Sequence, residues 1–249
     1  MDSPASYTRL IDALGIKQRD IVTLVGAGGK TTIMFALAKE LVEQGKRVIS
    51  TTTTKIRVPS KKDTEVLLFN PEDSALQEAL SKHLHVTCVS HLVESDKVAG
   101  VEPEVIPRWL AITGVDCIIV EADGSRGKSF KAPASYEPVI PPGTTVYVPV
   151  VGVDIIDKEL NEDNVHRSQI VAQLANIKMG DTINPKVVAK ILNYYLGMKP
   201  ESSRALVFIN KVQSQTQREH SKLIADELEI EKVVYGSVLS SEYWVITER

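Results

Sequence analysis

The chain has 249 residues, of which 43% are hydrophobic and 24% are charged, a composition typical of a globular protein with a sizeable core. The formal net charge of -3 and the pI near 6.0 exclude a global basic field, so neither nucleic acid nor a membrane is an expected partner. The two cysteines, Cys88 and Cys117, lack the spacing of a disulfide framework or zinc ribbon. Without a signal-like N-terminus or a long apolar stretch, the predicted location is cytoplasmic.

Hydrophobic periodicity predicts that helices and strands alternate along the chain. Helices are expected at residues 5–15, 31–43, 74–82, 103–112, 165–176, 185–196 and 215–228. Strands are expected at residues 20–25, 47–51, 65–69, 85–90, 116–121, 145–151, 205–209 and 232–235. This order favours an α/β fold of the P-loop NTPase-like type, with three layers and a doubly wound, mostly parallel sheet. We predict a single domain over residues 1–249, with room for a small insertion at about 56–100.

A glycine-rich segment separates the strand expected at 20–25 from the next helix. It reads Gly26-Ala27-Gly28-Gly29-Lys30-Thr31-Thr32. In a Walker A loop, backbone N–H groups and the helix N-terminus bind the phosphates, the lysine neutralises β- and γ-phosphate oxygens, and the threonine hydroxyl ligates Mg²⁺. We therefore predict that this segment binds a nucleoside triphosphate, with Lys30 and Thr31 at the γ-phosphate and its Mg²⁺.

The segment departs from the usual Walker A pattern in one respect. A glycine is expected five residues before Gly29, and Leu24 stands there. The loop is therefore a shortened Gly-x-x-Gly-Lys-Thr form, which resembles the loops of Mur ligases and of some metal-insertion GTPases. The alternative interpretation is a glycine-rich turn between a strand and a helix, with an incidental lysine.

An apolar run that begins at Val115 ends in two acids, Glu121 and Asp123. Buried parallel strands are continuous apolar runs, and ligand-binding groups collect at their carboxyl ends. Residues two apart on a strand point to the same side. We therefore predict that one of the acids holds the Mg²⁺ shell and that the other orients the attacking water.

The loop after Asp123 carries positive charge. Arg126 is predicted to stabilise the transferred phosphoryl group, and Lys128 and Lys131 add positive charge that suits an anionic substrate. The alternative is a solvated basic loop that follows a core strand.

Polar residues at two other predicted strand ends are candidates for the same site. Thr51 is expected to approach Mg²⁺, although four consecutive threonines also suit a capped turn. Asn210 and Lys211 match the start of the Asn-Lys-x-Asp element that reads guanine in GTPases, and we predict that they pack on the base. Gln213 replaces the aspartate of that element, so ATP and GTP both remain open.

Together these residues give the chain a family resemblance. It resembles the YqeC-type family of selenium-dependent hydroxylase accessory proteins in residues 25–32, 50–56, 120–127, 131–133, 136–141, 150–154, 164–167 and 208–211. The resemblance implies a P-loop protein associated with the maturation of molybdenum hydroxylases that need labile selenium. Tyr136 stands where that family often has a histidine, and the roles of His166 and Arg167 stay open.

Three functions compete at this point. The first is a Mg²⁺-dependent accessory factor that hydrolyses ATP or GTP, with a molybdoenzyme client as partner. The second is an ATP-dependent ligase or kinase acting on a small molecule. The third is a nucleotide-gated binding module in which the acids only hold Mg²⁺. A homodimer with nucleotide at its interface is a further expectation, by analogy with other proteins of this fold.

Overall fold

The computed structural model describes residues 5–112 and 114–247. Its helices are α1 (Leu10–Leu14), α2 (Lys30–Glu43), α3 (Asp73–Lys82), α4 (Ile106–Trp109), α5 (Ser168–Ala175), α6 (Pro185–Leu196) and α7 (Gln215–Ala225). Its strands are β1 (Ala5–Tyr7), β2 (Asp20–Gly26), β3 (Arg47–Thr52), β4 (Ile56–Arg57), β5 (Leu67–Phe69), β6 (His85–Val89), β7 (Leu92–Glu94), β8 (Lys97–Val98), β9 (Val115–Glu121), β10 (Phe130–Lys131), β11 (Val146–Gly152), β12 (Val165–His166), β13 (Arg204–Ala205), β14 (Val207–Asn210), β15 (Lys232–Ser237) and β16 (Glu242–Thr247).

One large sheet organises these elements. Its strand order is β1-β16-β15-β14-β11-β2-β9-β3-β6-β5, and the short β13 also pairs with β11. The pairs that involve β16 are antiparallel, and the other pairs of this sheet are parallel. The predicted α/β class with a mostly parallel sheet is therefore confirmed.

Helices cover both faces of this sheet. Val22 and Leu24 of β2 pack in a core with residues of α1 and α2. The alternate residues Ile21 and Val25 belong to the cores on the other face, which contain residues of α3 and α4 and of α5, α6 and α7 respectively. Because both faces are buried, the central strands are continuous apolar runs.

The structure differs from the expected elements at both chain ends and near residue 165. Residues 5–7, expected in a helix, form β1, which pairs with the unpredicted β16. The first and last strands of the chain pair with each other, so the partner of β1 is distant in sequence. Local hydrophobic periodicity therefore does not predict this pairing. The predicted helix at 165–176 starts later, since Val165 and His166 form β12 beside β10.

The range 56–100, where an insertion was expected, is divided between two sheets. β5 and β6 belong to the large sheet. The short strands β4, β8 and β7 form a separate antiparallel sheet. Across the described part of the chain, no helix has the length and apolar character needed to cross a membrane.

Candidate functional site

The glycine-rich loop lies between β2 and α2, against the carboxyl end of β11. Gly26 and Gly28 have φ angles of +90° and +91°, a backbone conformation that residues with a side chain rarely adopt. A Cβ at Gly26 would lie 2.4 Å from the Val150 carbonyl oxygen, and one at Gly28 would lie 2.2 Å from the Gly152 nitrogen. Both positions therefore require glycine, for the conformation and for the close approach of the β11 backbone.

Backbone N–H groups of the loop fall into two sets. Those of residues 26–28 donate within the protein, to Asp123 Oδ2 (3.0 Å), Val150 O (2.9 Å) and Lys128 O (3.1 Å). Those of residues 29–32 find no acceptor among residues 5–112 and 114–247. Free N–H groups at a helix start, together with the helix dipole, favour an anion.

Lys30 is buried against two carboxylates. Its side chain is 1% exposed, and its Nζ lies 3.1 Å from Asp123 Oδ1 and 3.6 Å from Glu121 Oε1. The same Nζ donates to the Gly26 carbonyl at 2.5 Å. Burial lowers the pKa of Lys30, but the charges of Asp123 and Glu121 outweigh burial and raise it, so the ammonium stays charged.

Glu121 contacts both Lys30 and Thr31, the first two residues of α2. Its Oε2 accepts a hydrogen bond of 2.6 Å from the Thr31 hydroxyl. Burial raises the pKa of Glu121, and the Lys30 charge and the Thr31 hydrogen bond offset the rise only in part. A hydroxyl and a carboxylate side by side are hard oxygen donors, which is the ligand type that Mg²⁺ prefers.

Asp123 has a different environment, in which three protein groups donate hydrogen bonds to one of its oxygens. It is fully buried. Its Oδ2 accepts hydrogen bonds of 3.0 Å from Gly26 N, Lys131 Nζ and the Tyr195 hydroxyl. The Oδ1 lies against Lys30 without hydrogen-bond alignment. Asp123 therefore ties the loop to two lysines and to α6.

The charge network continues away from the loop on the Asp123 side. Lys131 also donates to Glu137 Oε2 at 2.6 Å and to the Gly124 carbonyl at 2.7 Å. Glu137 in turn pairs with the Arg167 guanidinium, which also donates to the Tyr136 hydroxyl at 3.2 Å. His166 lies nearby, where burial and the charge of Arg167 lower its pKa to about 4. Three carboxylates thus face three cations, namely Glu121, Asp123 and Glu137 against Lys30, Lys131 and Arg167.

The structure does not bring Thr51 to this cluster. Thr51 pairs with Val120 on β9, which points to the opposite face of the sheet from Glu121. Its hydroxyl donates to the Cys88 carbonyl at 2.8 Å. The geometry therefore gives no support to Thr51 as a Mg²⁺ ligand, because strand register directs its side chain away from the loop.

Arg126 is also separate from the cluster. It lies in an exposed turn with a φ angle of +50°. Within the described ranges it has no hydrogen bond or ion pair to Lys30, Glu121 or Asp123. The predicted catalytic role of Arg126 therefore gains no geometric support.

Asn210 and Lys211 lie next to the loop, but their side-chain ends are engaged. Asn210 Nδ2 donates to the Gly28 carbonyl at 2.8 Å, so this residue braces the loop from β14. Lys211 Nζ donates to Ser129 Oγ at 2.6 Å and to Asp154 Oδ2 at 3.1 Å.

Sequence reasoning missed two contributors to the cluster. Tyr195 lies on the apolar face of α6, where a tyrosine is indistinguishable from a core residue. Its hydroxyl is the only hint, because a buried tyrosine hydroxyl usually finds a hydrogen-bond partner. Glu137 lies in a loop rich in proline, and nothing in its local pattern indicates the Lys131 and Arg167 partners.

The sequence was compared with protein families and with known proteins. The family model described as "YqeC protein" matches residues 22–169, which include the loop, both acids, Glu137 and Arg167. The chain is similar to the "Uncharacterized protein YqeC" of Escherichia coli (strain K12), with 31% identity over 218 residues. That alignment covers 85% of this chain and 84% of the relative.

Proposed function

The chain belongs to the YqeC family, and from that premise we propose that it binds a nucleoside triphosphate with Mg²⁺ at residues 26–32 and hydrolyses it. One observation carries the proposal. A buried, charged lysine and unused helix N–H groups meet two carboxylates at the carboxyl ends of adjacent parallel strands. Ligands of open α/β sheets bind at such ends.

Each group has a role that follows from its surroundings. The N–H groups of residues 29–32 would bind phosphate oxygens, and Lys30 would turn from the carboxylates toward the β- and γ-phosphates. Thr31 and Glu121 would hold Mg²⁺, which neutralises the developing phosphate charge when bound. Asp123 would keep the loop in place.

The cellular role belongs to the same proposal. We propose an accessory factor in the maturation of a selenium-dependent molybdenum hydroxylase, supported by the family resemblance. ATP and GTP are both candidate nucleotides, because Gln213 cannot supply the carboxylate that reads guanine. The second candidate is a ligase or kinase acting on a small molecule. A groove beside Thr31 and Thr32 favours it.

The first prediction tests nucleotide binding. Thermal unfolding is followed with ATP, GTP and their non-hydrolysable analogues, each with and without Mg²⁺. Ligand at about 100 times its Kd should stabilise the fold by about 2.7 kcal/mol and raise the Tm by several degrees. Lys30→Met should abolish this ligand-induced rise in Tm, because it removes the positive charge that binds the phosphates. The methionine keeps a long side chain, which limits the change in packing.

Controls separate binding from folding and from turnover. Lys222→Met, on an exposed helix position, should keep the full rise. Thr31→Val should fold normally and lose the Mg²⁺-dependent part of the rise in Tm. This variant keeps the test valid if Lys30→Met does not fold. Glu121→Gln should bind nucleotide yet release phosphate about 100 times more slowly, because a neutral amide is a weaker ligand for Mg²⁺ than a carboxylate. Equal responses of wild type and Lys30→Met to every nucleotide would refute the proposal.

A further inference from the structure

A groove runs along the outer side of α2, starting at the last residues of the loop and leading away from Glu121 and Asp123. It begins at Thr31 and Thr32 and continues past Phe35 and Lys39 to Val42. Its other wall is formed by residues 61–65 and 82–85, and its volume is about 710 Å³. That volume falls within the range of small-molecule sites. The positions on α2 recur at helical spacing, so one helix face forms a continuous wall.

The floor of this groove is largely apolar, although the Phe35 side chain within it is only 9% exposed. Phe35, Ala36 and Leu84 contribute hydrophobic surface, and His85 adds its ring. The rings of Phe35 and His85 meet edge to face, with centroids 6.1 Å apart. Burial lowers the pKa of His85 to about 4, so this imidazole is neutral near pH 7, and Ser50 Oγ lies 2.7 Å from its Nε2.

The rim of the groove carries more positive than negative charge, because four lysines and two acids line it. Lys39, Lys61 and Lys62 line it and are exposed. In the ranges 5–112 and 114–247, none of the three takes part in a salt bridge.

Two acids also line the groove, but both have other partners. Asp63 Oδ2 accepts from the Ser60 amide at 2.8 Å and from its hydroxyl at 2.6 Å. Glu65 lies 3.3 Å from His83. Because the whole chain has a net charge of -3, three unpaired lysines around one apolar floor are a local exception. They favour an anion that also has an apolar body.

We propose that this groove is a binding site for a small organic anion with a flat aromatic body and a carboxylate, sulfonate or phosphate group. The aromatic body packs on Phe35 and His85, and the anionic group lies among Lys39, Lys61 and Lys62. The groove opens at Thr31 and Thr32, beside the proposed γ-phosphate position. The anion is therefore a second substrate of the nucleotide site. This identification rests on the proposed function. The binding of the anion to the groove does not depend on it.

The test uses the full-length protein without nucleotide, and 8-anilinonaphthalene-1-sulfonate as the probe, titrated by its fluorescence. Lys39→Glu should weaken probe binding by about tenfold or more, since one attraction becomes a repulsion at the rim. Ala36→Phe should weaken it comparably by filling the floor without changing the charge. Lys222→Glu, an exposed helix position outside the groove, should leave the affinity unchanged. Added salt should weaken binding to the wild type more than to Lys39→Glu.

The outcomes separate this proposal from the nucleotide proposal. If Lys39→Glu and Ala36→Phe both bind the probe like the wild type, the probe only adsorbs elsewhere and the groove site is rejected. If Lys30→Met loses the nucleotide-induced rise in Tm but keeps probe affinity, the two sites are distinct and the groove stands. If no variant or wild type responds to nucleotide while the probe still depends on Lys39 and Ala36, the nucleotide site fails and the anion site remains.

Discussion

Glu121 and Asp123 lie two residues apart on one strand end, yet their surroundings differ. On the Glu121 side, the carboxylate contacts Thr31 and Lys30 and lies beside unused N–H groups. On the Asp123 side, the carboxylate is surrounded by protein donors from the loop, from α6 and from Lys131. This contrast is the basis on which the proposed function assigns Glu121 to the ligand and Asp123 to the support of the loop.

The largest expected effect tests the structural side of this comparison. Asp123→Ala should lower the free energy of unfolding by about 3–5 kcal/mol, because it leaves buried Lys30 and Lys131 with less compensation and frees the Tyr195 hydroxyl. Urea unfolding measures the change. Glu121→Gln keeps its shape and its hydrogen-bonding oxygen, so it should cost less than half as much. Equal losses for the two variants would contradict the division of roles.

The intermediate effect concerns acid pH. The pKa of Glu137 is lowered to about 2, because hydrogen bonds and charges from Arg167 and Lys131 outweigh its burial. A carboxyl whose folded pKa lies below its unfolded value stabilises the fold above the unfolded value. That stabilisation should be lost as the pH falls from about 4.5 to about 2.

Urea midpoints measured from pH 6 down to pH 2.5 test this. Glu137→Gln should be less stable than wild type at pH 6, and the difference should shrink as the pH falls through the window. Glu201→Gln is the control, because Glu201 is exposed and its side chain makes no hydrogen bond or salt bridge to the residues that the structure describes. A difference between Glu137→Gln and wild type that stays constant with pH would show that the Asp123 side does not depend on this charge.

Local patterns predicted the elements that the site needs, and tertiary contacts decided the rest. The apolar runs of β2 and β9 and the glycines between β2 and α2 are visible in the sequence, so the approach of Lys30 to Glu121 could be expected. Thr51 also lies near the end of a strand, so the sequence predicts it at the same site. In the strand register it pairs with Val120, and its side chain lies on the face of the sheet opposite to Glu121. No local signal links Tyr195 to Asp123, which is 72 residues away. The pairing of β1 with β16 is hidden for the same reason.

The smallest expected effect compares two buried tyrosines on the Asp123 side. The Tyr195 hydroxyl donates to the charged Asp123 Oδ2 at 3.0 Å, and the Tyr147 hydroxyl donates to the neutral Tyr195 carbonyl at 3.1 Å. Burial, followed by the charge of Asp123, raises the pKa of both tyrosines, so both stay protonated donors. Hydrogen bonds to charged groups contribute about 1.5–3 kcal/mol and neutral ones about 0.5–1.5 kcal/mol.

Tyr195→Phe should therefore lower the free energy of unfolding by about 1.5 kcal/mol or more, and Tyr147→Phe by about 1 kcal/mol or less, in matched urea titrations. Both substitutions remove one buried hydroxyl and keep the ring, so their difference isolates the charge of the acceptor. If Tyr147→Phe were the costlier change, Asp123 would not need its α6 donor. The contrast between Asp123 and Glu121 would then weaken.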